Sequence, residues 1–166
     1  MMLPERRLRQ LVLLVLIGAL GTNCSLLWAR PESNTARSGS LLLTVWVSRG
    51  RTNVGQPVMI RYTVENIRDQ IEVIQLEEKQ EPVMDILVGF GRGEGGTRLY
   101  WSDGQEITPE MRRLELAPGE SKTIEMTWVP DEKAEGYIVT VSGILHREHR
   151  YQDATVMICV GRCPIY

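Results

Sequence analysis

Several features that other classes of protein require are scarce or missing in this chain. Its 166 residues include three Cys, two His and one Phe. A zinc ribbon takes four ligands, typically from paired Cys-x2-Cys units, and no such unit is present. The HExxH, GxSxG and Ser-x-x-Lys motifs are also missing. The sequence therefore predicts no metal site, no cofactor and no enzyme.

A strong excess of charge of one sign is missing too. The chain has 19 Lys and Arg against 21 Asp and Glu. The first 23 residues hold three Arg and one Glu, so the remainder carries a net charge of about −4. A nucleic-acid surface needs clustered basic residues, and this balance argues against one. The apolar share of 43% is ordinary for a globular chain.

Only one long apolar run occurs, and it stands behind a basic stretch. Arg6, Arg7 and Arg9 precede the apolar residues Leu11–Leu20, an order typical of a secretory signal. Ten helical residues span about 15 Å, roughly half of a bilayer core of about 30 Å. Extension through Trp28 gives about 18 tolerably apolar residues, so an uncleaved anchor is also open. Residues 1–29 are predicted to be a signal peptide or membrane anchor helix, with the Arg cluster on the cytoplasmic side.

Processing of this segment has three possible outcomes: cleavage, lipidation and retention. Ala19-Leu20-Gly21 offers small residues at the spacing that signal peptidase prefers. Alternatively, residues 20–24 resemble a bacterial lipoprotein signal in which Cys24 carries the lipid. Asn23 departs from that pattern, because Gly, Ala or Ser normally precedes the lipidated Cys. In every case we expect the rest of the chain to be exported, and in two cases it is membrane-anchored on the extracytoplasmic side.

The two remaining cysteines, Cys159 and Cys163, are spaced Cys-x3-Cys near the C-terminus. In an oxidising compartment such a pair can close a small loop in which Gly161 permits the tight turn. The sequence predicts a disulfide between them.

Beyond a polar stretch at residues 30–40, which we interpret as a linker, the hydrophobic period is 2. In the segment 58–65, for example, Val58, Ile60, Tyr62 and Val64 share one face. No convincing amphipathic helix follows residue 30; residues 108–113 could form one helical turn. Eight short strands indicate a β-sandwich domain over residues 41–166. They are 41–48, 58–65, 71–76, 83–90, 97–101, 121–128, 137–145 and 154–160.

Two motifs have functional interpretations that we reject. Residues 91–96 satisfy G-x-G-x-x-G, but a strand follows instead of the helix that a dinucleotide site needs, so we predict a hairpin loop. His146 and His149 do not have the spacing of a helical metal pair. We expect both to be solvated residues of a hairpin beside Arg147 and Arg150.

Three short motifs resemble the intracellular proteinase inhibitor domain family of the BsuPI type. They are residues 100–105 (YWSDGQ), the turn 114–121 (LELAPGES) and the strand opening 136–143 (GYIVTVSG). Tyr62-Thr63-Val64-Glu65-Asn66 looks like the family's first paired strand. The resemblance covers roughly residues 41–145. It implies an immunoglobulin-like antiparallel β-sandwich of about seven or eight strands, and binding to a proteinase. The export signal and the Cys159–Cys163 tail depart from an intracellular inhibitor.

The predicted function is therefore a non-enzymatic, extracytoplasmic protein-interaction module of this inhibitor-like type. The partner is a protein whose identity the sequence does not reveal. An accessory subunit of a bacterial membrane complex, held by its N-terminal helix, is an alternative, and a secreted proteinase inhibitor is another. An inhibitor would use a loop such as 91–96 or 101–108. The candidate interaction residues are Tyr100, Trp101, Ser102, Asp103 and Gly104.

Overall fold

A computed structural model describes residues 30–77, 81–91, 96–147 and 150–163. The predicted N-terminal helix and Cys24 lie outside these residues. The described chain is almost entirely β, with two short 3-10 helices at Pro109–Arg112 and Glu132–Ala134. The first of these is the helical turn predicted at residues 108–113. Within the described ranges, no helix has both the length and the apolar character needed to cross a bilayer.

The described residues form eleven strands in three sheets. A four-stranded sheet has the order β1-β2-β4-β9, a five-stranded sheet the order β3-β11-β10-β6-β7, and β5 pairs with β8 alone. Each pairing is antiparallel except that of β3 with β11. The strands are β1 Glu32–Ser38, β2 Leu41–Val47, β3 Arg51–Thr52, β4 Val58–Asn66, β5 Glu72–Gln75, β6 Met84–Phe90, β7 Thr97–Tyr100, β8 Arg113–Leu116, β9 Ser121–Trp128, β10 Ile138–Arg147 and β11 Arg150–Val160.

The two larger sheets pack face to face because alternate residues of their strands are apolar. Val58, Ile60, Tyr62 and Val64 are all fully buried, as their alternation predicts. The Tyr62 ring lies directly against Gly143 of β10, where a Cβ atom would come within 2.1 Å of Tyr62 Cδ2. Burial raises the pKa of the Tyr62 phenol, with a smaller contribution from the Asp153 carboxylate. This hydroxyl has no hydrogen-bond partner among the described residues.

The two open sides of this two-layer core are covered by different elements. On one side β1 approaches β11, and the Asn34 side-chain amide donates to the Thr155 carbonyl at 2.8 Å. On the other side lies the β5–β8 sheet, whose Leu114 and Leu116 are buried. Asn66, fully buried, donates to the Leu116 carbonyl at 3.0 Å. The small sheet is thus tied to the end of β4.

The predicted linker at residues 30–40 is wrong for most of its length. Residues 32–38 form β1, which pairs along its whole length with β2, from Glu32↔Val47 to Ser38↔Leu41. The domain therefore begins before residue 41. An edge strand is held by its backbone, so its mostly exposed polar side chains carried no apolar alternation to reveal it.

All eight predicted strands are present within a few residues of their expected bounds. Besides β1, the two-residue strand β3 and the four-residue strand β8 were not predicted. The segment 71–76 has the predicted alternation, but its apolar members Ile71 and Val73 are exposed. Ile74 and Leu76, on the opposite face, are buried instead.

One end of the two sheets gathers the first described residue, three connecting segments and the disulfide. We call it the Arg30 end; it comprises residue 30 and the segments 49–57, 129–137 and 159–163. Gly50 N donates to Arg30 O at 2.9 Å, and Gly55 N to Pro130 O at 2.9 Å. Gly136 N donates to Val160 O at 2.9 Å. Cys159 and Cys163 are paired as a disulfide with Cα atoms 5.8 Å apart, as predicted.

Candidate functional site

The candidate interaction residues form a tight turn directly after β7. Trp101 N donates to Ile86 O at 2.8 Å, which extends the pairing of β7 with β6 by one bond. Asp103 N donates to Tyr100 O at 3.1 Å, while the Asp103 carboxylate accepts from Tyr100 N at 2.7 Å. Gly104 has a φ of 74°, a value that L side chains rarely adopt. The turn is therefore closed by its own hydrogen bonds.

A buried carboxylate holds this turn against the five-stranded sheet. Asp85 of β6 is only 3% exposed. Its Oδ2 accepts from Ser102 Oγ at 2.6 Å, and its Oδ1 accepts from Ser102 N at 3.2 Å and from Ile86 N at 2.8 Å. Burial raises the pKa of Asp85, while these hydrogen bonds and the nearby His146 lower it to a lesser extent. Asp85 is thus a positioning residue for Ser102.

The turn forms one wall of an open cleft of about 530 Å³ on the outer face of the five-stranded sheet. Strand register explains the arrangement, since Ile144 of β10 lies opposite Asp85, and Leu87 of β6 lies opposite Tyr100. Outward-facing residues of β6, β7 and β10 supply most of the lining. The cleft is lined by Glu81, Asp85, Leu87, Arg98, Tyr100, Ser102, Asp103, Ile144 and His146.

The cleft combines an apolar floor with a charged rim. Leu87 and Ile144 lie on the floor strands, and Tyr100 flanks them. His146 Nδ1 lies 3.6 Å from a carboxylate oxygen of the exposed Glu81. Such a surface can accept an apolar side chain in its centre and polar groups around it, as protein interfaces do.

Asp85, Ser102 and His146 share the residue types of a hydrolytic triad, but their arrangement differs. In a triad the imidazole accepts the serine proton and the carboxylate orients the imidazole. Here Ser102 Oγ lies 2.6 Å from the Asp85 carboxylate, and His146 lies beside Glu81. Within residues 30–77, 81–91, 96–147 and 150–163, no three His, Cys, Asp or Glu side chains are grouped to hold a metal ion.

The structure brings together three of the five candidate interaction residues, namely Tyr100, Ser102 and Asp103, in the cleft lining. Trp101 instead packs against the core and lines a small apolar cavity of about 40 Å³ with Met84 and Leu114. No motif in the sequence marked the remaining lining residues as part of a site. Asp85 did leave a signal, because it is the single charged residue in the apolar stretch 83–90.

The two rejected motifs lie next to antiparallel strand pairs. After Gly96 the chain forms β7, which pairs antiparallel with β6 as far as Phe90↔Thr97, so residues 91–96 connect two paired strands as predicted. His146 lies near the end of β10, where Arg147 pairs with Arg150 of β11, but its side chain is only 18% exposed, so the predicted solvated position is wrong for this residue. His149 and residues 92–95 lie outside the described residues.

A second open cleft, of about 540 Å³, lies at the Arg30 end. Gly161 lies inside the disulfide loop, and both of its backbone polar groups make hydrogen bonds beside this cleft. Its N donates to Thr52 O at 2.8 Å. Gly161 O accepts from Arg51 Nη2 at 2.8 Å and from Arg51 Nε at 3.1 Å. The cleft is lined by Arg51, Asn53, Glu135, Gly136, Gly161 and Arg162.

Comparison with known proteins gives no family for the chain. No protein-family model matches it, and no curated protein matches it. Solved structures similar to it include Spo0M, a sporulation control protein from Bacillus subtilis, with 13% identity and a TM-score of 0.48 over 75% of this chain. This chain spans about half of that protein, 51% of its length.

Two further solved structures are similar to this chain, one of comparable length and one much longer. The C-terminal domain of Wzt has 10% identity and a TM-score of 0.42, with 81% of each chain covered. A β-glucosidase from Listeria innocua has 14% identity and a TM-score of 0.36 over 83% of this chain, which spans only 17% of the glucosidase.

Proposed function

We propose that this chain is a non-enzymatic, extracytoplasmic protein-interaction module of the proteinase-inhibitor-like β-sandwich type, tethered to the membrane through Cys24 or an N-terminal helix. One observation carries the binding part of this proposal. Ser102 in the turn at residues 100–104 donates two hydrogen bonds to the buried Asp85, and this turn contributes Tyr100, Ser102 and Asp103 to the wall of an open cleft. A preordered wall lowers the entropy cost of binding a partner.

The order of the strands supports an immunoglobulin-like sandwich. In that fold one sheet contains strands A, B and E side by side, and the other contains G, F, C and an added C′ strand. The orders β2-β4-β9 and β11-β10-β6-β7 correspond to these two sets in chain order. The strands β1 and β3 and the β5–β8 sheet are additions to this plan.

Two motifs of the BsuPI resemblance have clear structural roles, which supports the family assignment within this proposal. In the WSDG stretch, Ser102 and Asp103 line the cleft, while Trp101 packs against the core. In the LAPGE stretch, Gly119 has a φ of 74°, and Glu120 accepts a hydrogen bond from Ala117 N at 2.8 Å. This turn leads directly into β9.

The tether rests on the basic and apolar N-terminal pattern, and the disulfide is consistent with export. Disulfides persist in oxidising compartments and are rare in the cytosol. Intact mass of the protein extracted from its native membrane tests the tether. Cleavage before Cys24 with added acyl chains indicates a lipoprotein. Retention of residues 1–23 indicates a helix anchor and favours the accessory-subunit alternative.

Photo-crosslinking in native membranes tests the cleft. A photoreactive amino acid is placed at Tyr100 or Arg98, and at Thr127 on the outer face of the other sheet as the control. We expect protein adducts from the cleft positions and none from Thr127, with adducts reduced by Asp85→Ala more than by Asp85→Asn. Adducts from Thr127 alone would show that the cleft is not the binding site. An adduct to a protease that the protein also inhibits would select the inhibitor alternative.

A further inference from the structure

The surface of the Arg30 end is rich in exposed apolar side chains. Val54, Val129, Tyr137 and Ile138 are exposed to 38, 52, 44 and 41%. Gly55 N donates to Pro130 O, which holds the segments of Val54 and Val129 side by side, and Val160 N donates to Tyr137 O at the start of β10. We call these four residues, together with the arginines described next, the Arg30 face. Exposed apolar clusters of this kind usually mark a contact surface.

Four arginines lie in the segments of the same end. Arg30 and Arg162 are exposed, and Arg49 and Arg51 are partly exposed. Arg51 and Arg162 line the second cleft, in which the Arg51 guanidinium is held by Gly161 O. Acidic residues are present as well, since Glu135 lines the same cleft and Asp131 and Glu132 are nearby in sequence. Arg and Tyr beside aliphatic side chains are characteristic of protein surfaces that meet lipid headgroups.

The proposed tether leads to this end of the molecule. Residues 21–29 separate the apolar run from Arg30, and nine residues span at most about 30 Å when fully extended. Gly50 N binds Arg30 O, so the chain meets the fold within the Arg30 end. The ten residues of β10 run from this end toward His146 and span about 33 Å. A tether therefore holds the Arg30 end near the bilayer and the cleft farther away.

We infer that the Arg30 face rests on the membrane surface, with its arginines at anionic phospholipid headgroups and Val54, Val129, Tyr137 and Ile138 at the boundary with the acyl chains. This inference rests on the tether of the proposed function. It adds an orientation: the cleft between β6, β7 and β10 faces away from the bilayer, toward partners outside the membrane.

A second exposed apolar group competes for this role. Ile67, Ile71 and Val73 lie beyond the opposite end of β4, where Ile67 N donates to Ser40 O at 2.9 Å. Their side chains are as exposed as those of the Arg30 face. Their position is farther from Arg30, so the tether favours the Arg30 face.

The test uses the full chain reconstituted in vesicles of phosphatidylglycerol and phosphatidylethanolamine that contain a photoactivatable phospholipid. After vesicle flotation, lipid adducts are mapped by mass spectrometry. We expect adducts in the segments 49–57 and 129–138. Arg49→Glu with Arg162→Glu should lower their yield about five-fold while leaving flotation and the circular dichroism spectrum unchanged. Ile71→Ser with Val73→Ser, the matched control, should leave the yield unchanged.

The remaining outcomes separate the inference from the proposed function. Flotation with adducts confined to residues 1–29, or with adducts at residues 67–73, would overturn the orientation and leave the tether intact. Full chain that does not float with the vesicles would overturn the tether itself. Equal adduct yields in phosphatidylcholine vesicles would overturn the role of the arginines.

Discussion

The Arg30 end and the cleft are ordered by different kinds of interaction. At the Arg30 end, a disulfide and a set of backbone hydrogen bonds join segments from four parts of the chain. At the cleft, one buried side chain, Asp85, accepts two hydrogen bonds from Ser102 that set the position of the turn, and a third from Ile86 N of its own strand. The order of the Arg30 end therefore depends on the redox state of its cysteines, whereas the position of the turn at the cleft depends on a single carboxylate.

The largest effect should come from a substitution between the two regions. Gly143→Ala places a Cβ 2.1 Å from the fully buried Tyr62 ring, which has no room to move. We expect a loss of about 3 kcal/mol in the free energy of unfolding. Amide hydrogen exchange should accelerate at both the Arg30 end and the cleft, because the substitution destabilises the core that both regions share. Gly89→Ala on β6, where the nearest atom is 3.9 Å away, is the matched control and should cost little.

Asp85→Ala should act on the cleft alone. Ser102 N and Oγ lose their acceptor, which costs about 2 kcal/mol of unfolding free energy. The amides of Trp101 and Ser102 should exchange faster, while those of Gly136 and Gly161 are unchanged. Asp85→Asn retains an acceptor oxygen and should cost less. Equal costs for both variants would contradict the role of the carboxylate oxygens.

Cys159→Ser with Cys163→Ser should act on the Arg30 end alone. Opening a loop of about five residues removes about 2 kcal/mol on the chain-entropy account. The amide of Gly161, which donates to Thr52 O, should lose protection from exchange. The cleft amides serve as the internal control. Loss of protection at Trp101 in this variant would show that the two regions are coupled.

A smaller effect is expected in the pH dependence of the unfolding free energy, to which Asp85 at the cleft contributes. Burial raises the pKa of Asp85, so the native state binds a proton more readily than the unfolded chain. Its contribution to stability is therefore largest below the unfolded pKa of about 3.9 and falls as pH rises through the folded pKa. Denaturant titrations should show the wild type losing stability relative to Asp85→Asn over this range. The opposite slope would show that the hydrogen bonds outweigh burial.

Local sequence was enough to predict most of the strands. The alternation of Val58, Ile60, Tyr62 and Val64 follows directly from the opposite directions of successive side chains in a strand. The glycine-rich segment 91–96 was assigned to a hairpin from the strand that follows it. The Cys159–Cys163 pair needed only its spacing and the export signal.

The cleft could not be predicted in the same way. Tyr100, Ser102 and Asp103 were chosen from their motif, but Asp85 and Ile144 come from strands far away in sequence. They meet the turn because β6 pairs with both β7 and β10 in a particular register. Trp101 was a candidate for binding, and the same register directs it toward the core.

What the sequence determined by itself is the β class of the chain, the approximate positions of eight strands, the disulfide pair and the buried face of strands such as β4. These depend on neighbours two to four residues apart. The tertiary structure decided the use of residues 32–38 as a strand, the outward face of Ile71 and Val73, and the assembly of the cleft. Each of these depends on which strand lies alongside, and pairing made by backbone atoms leaves no periodic pattern in the residues that make it.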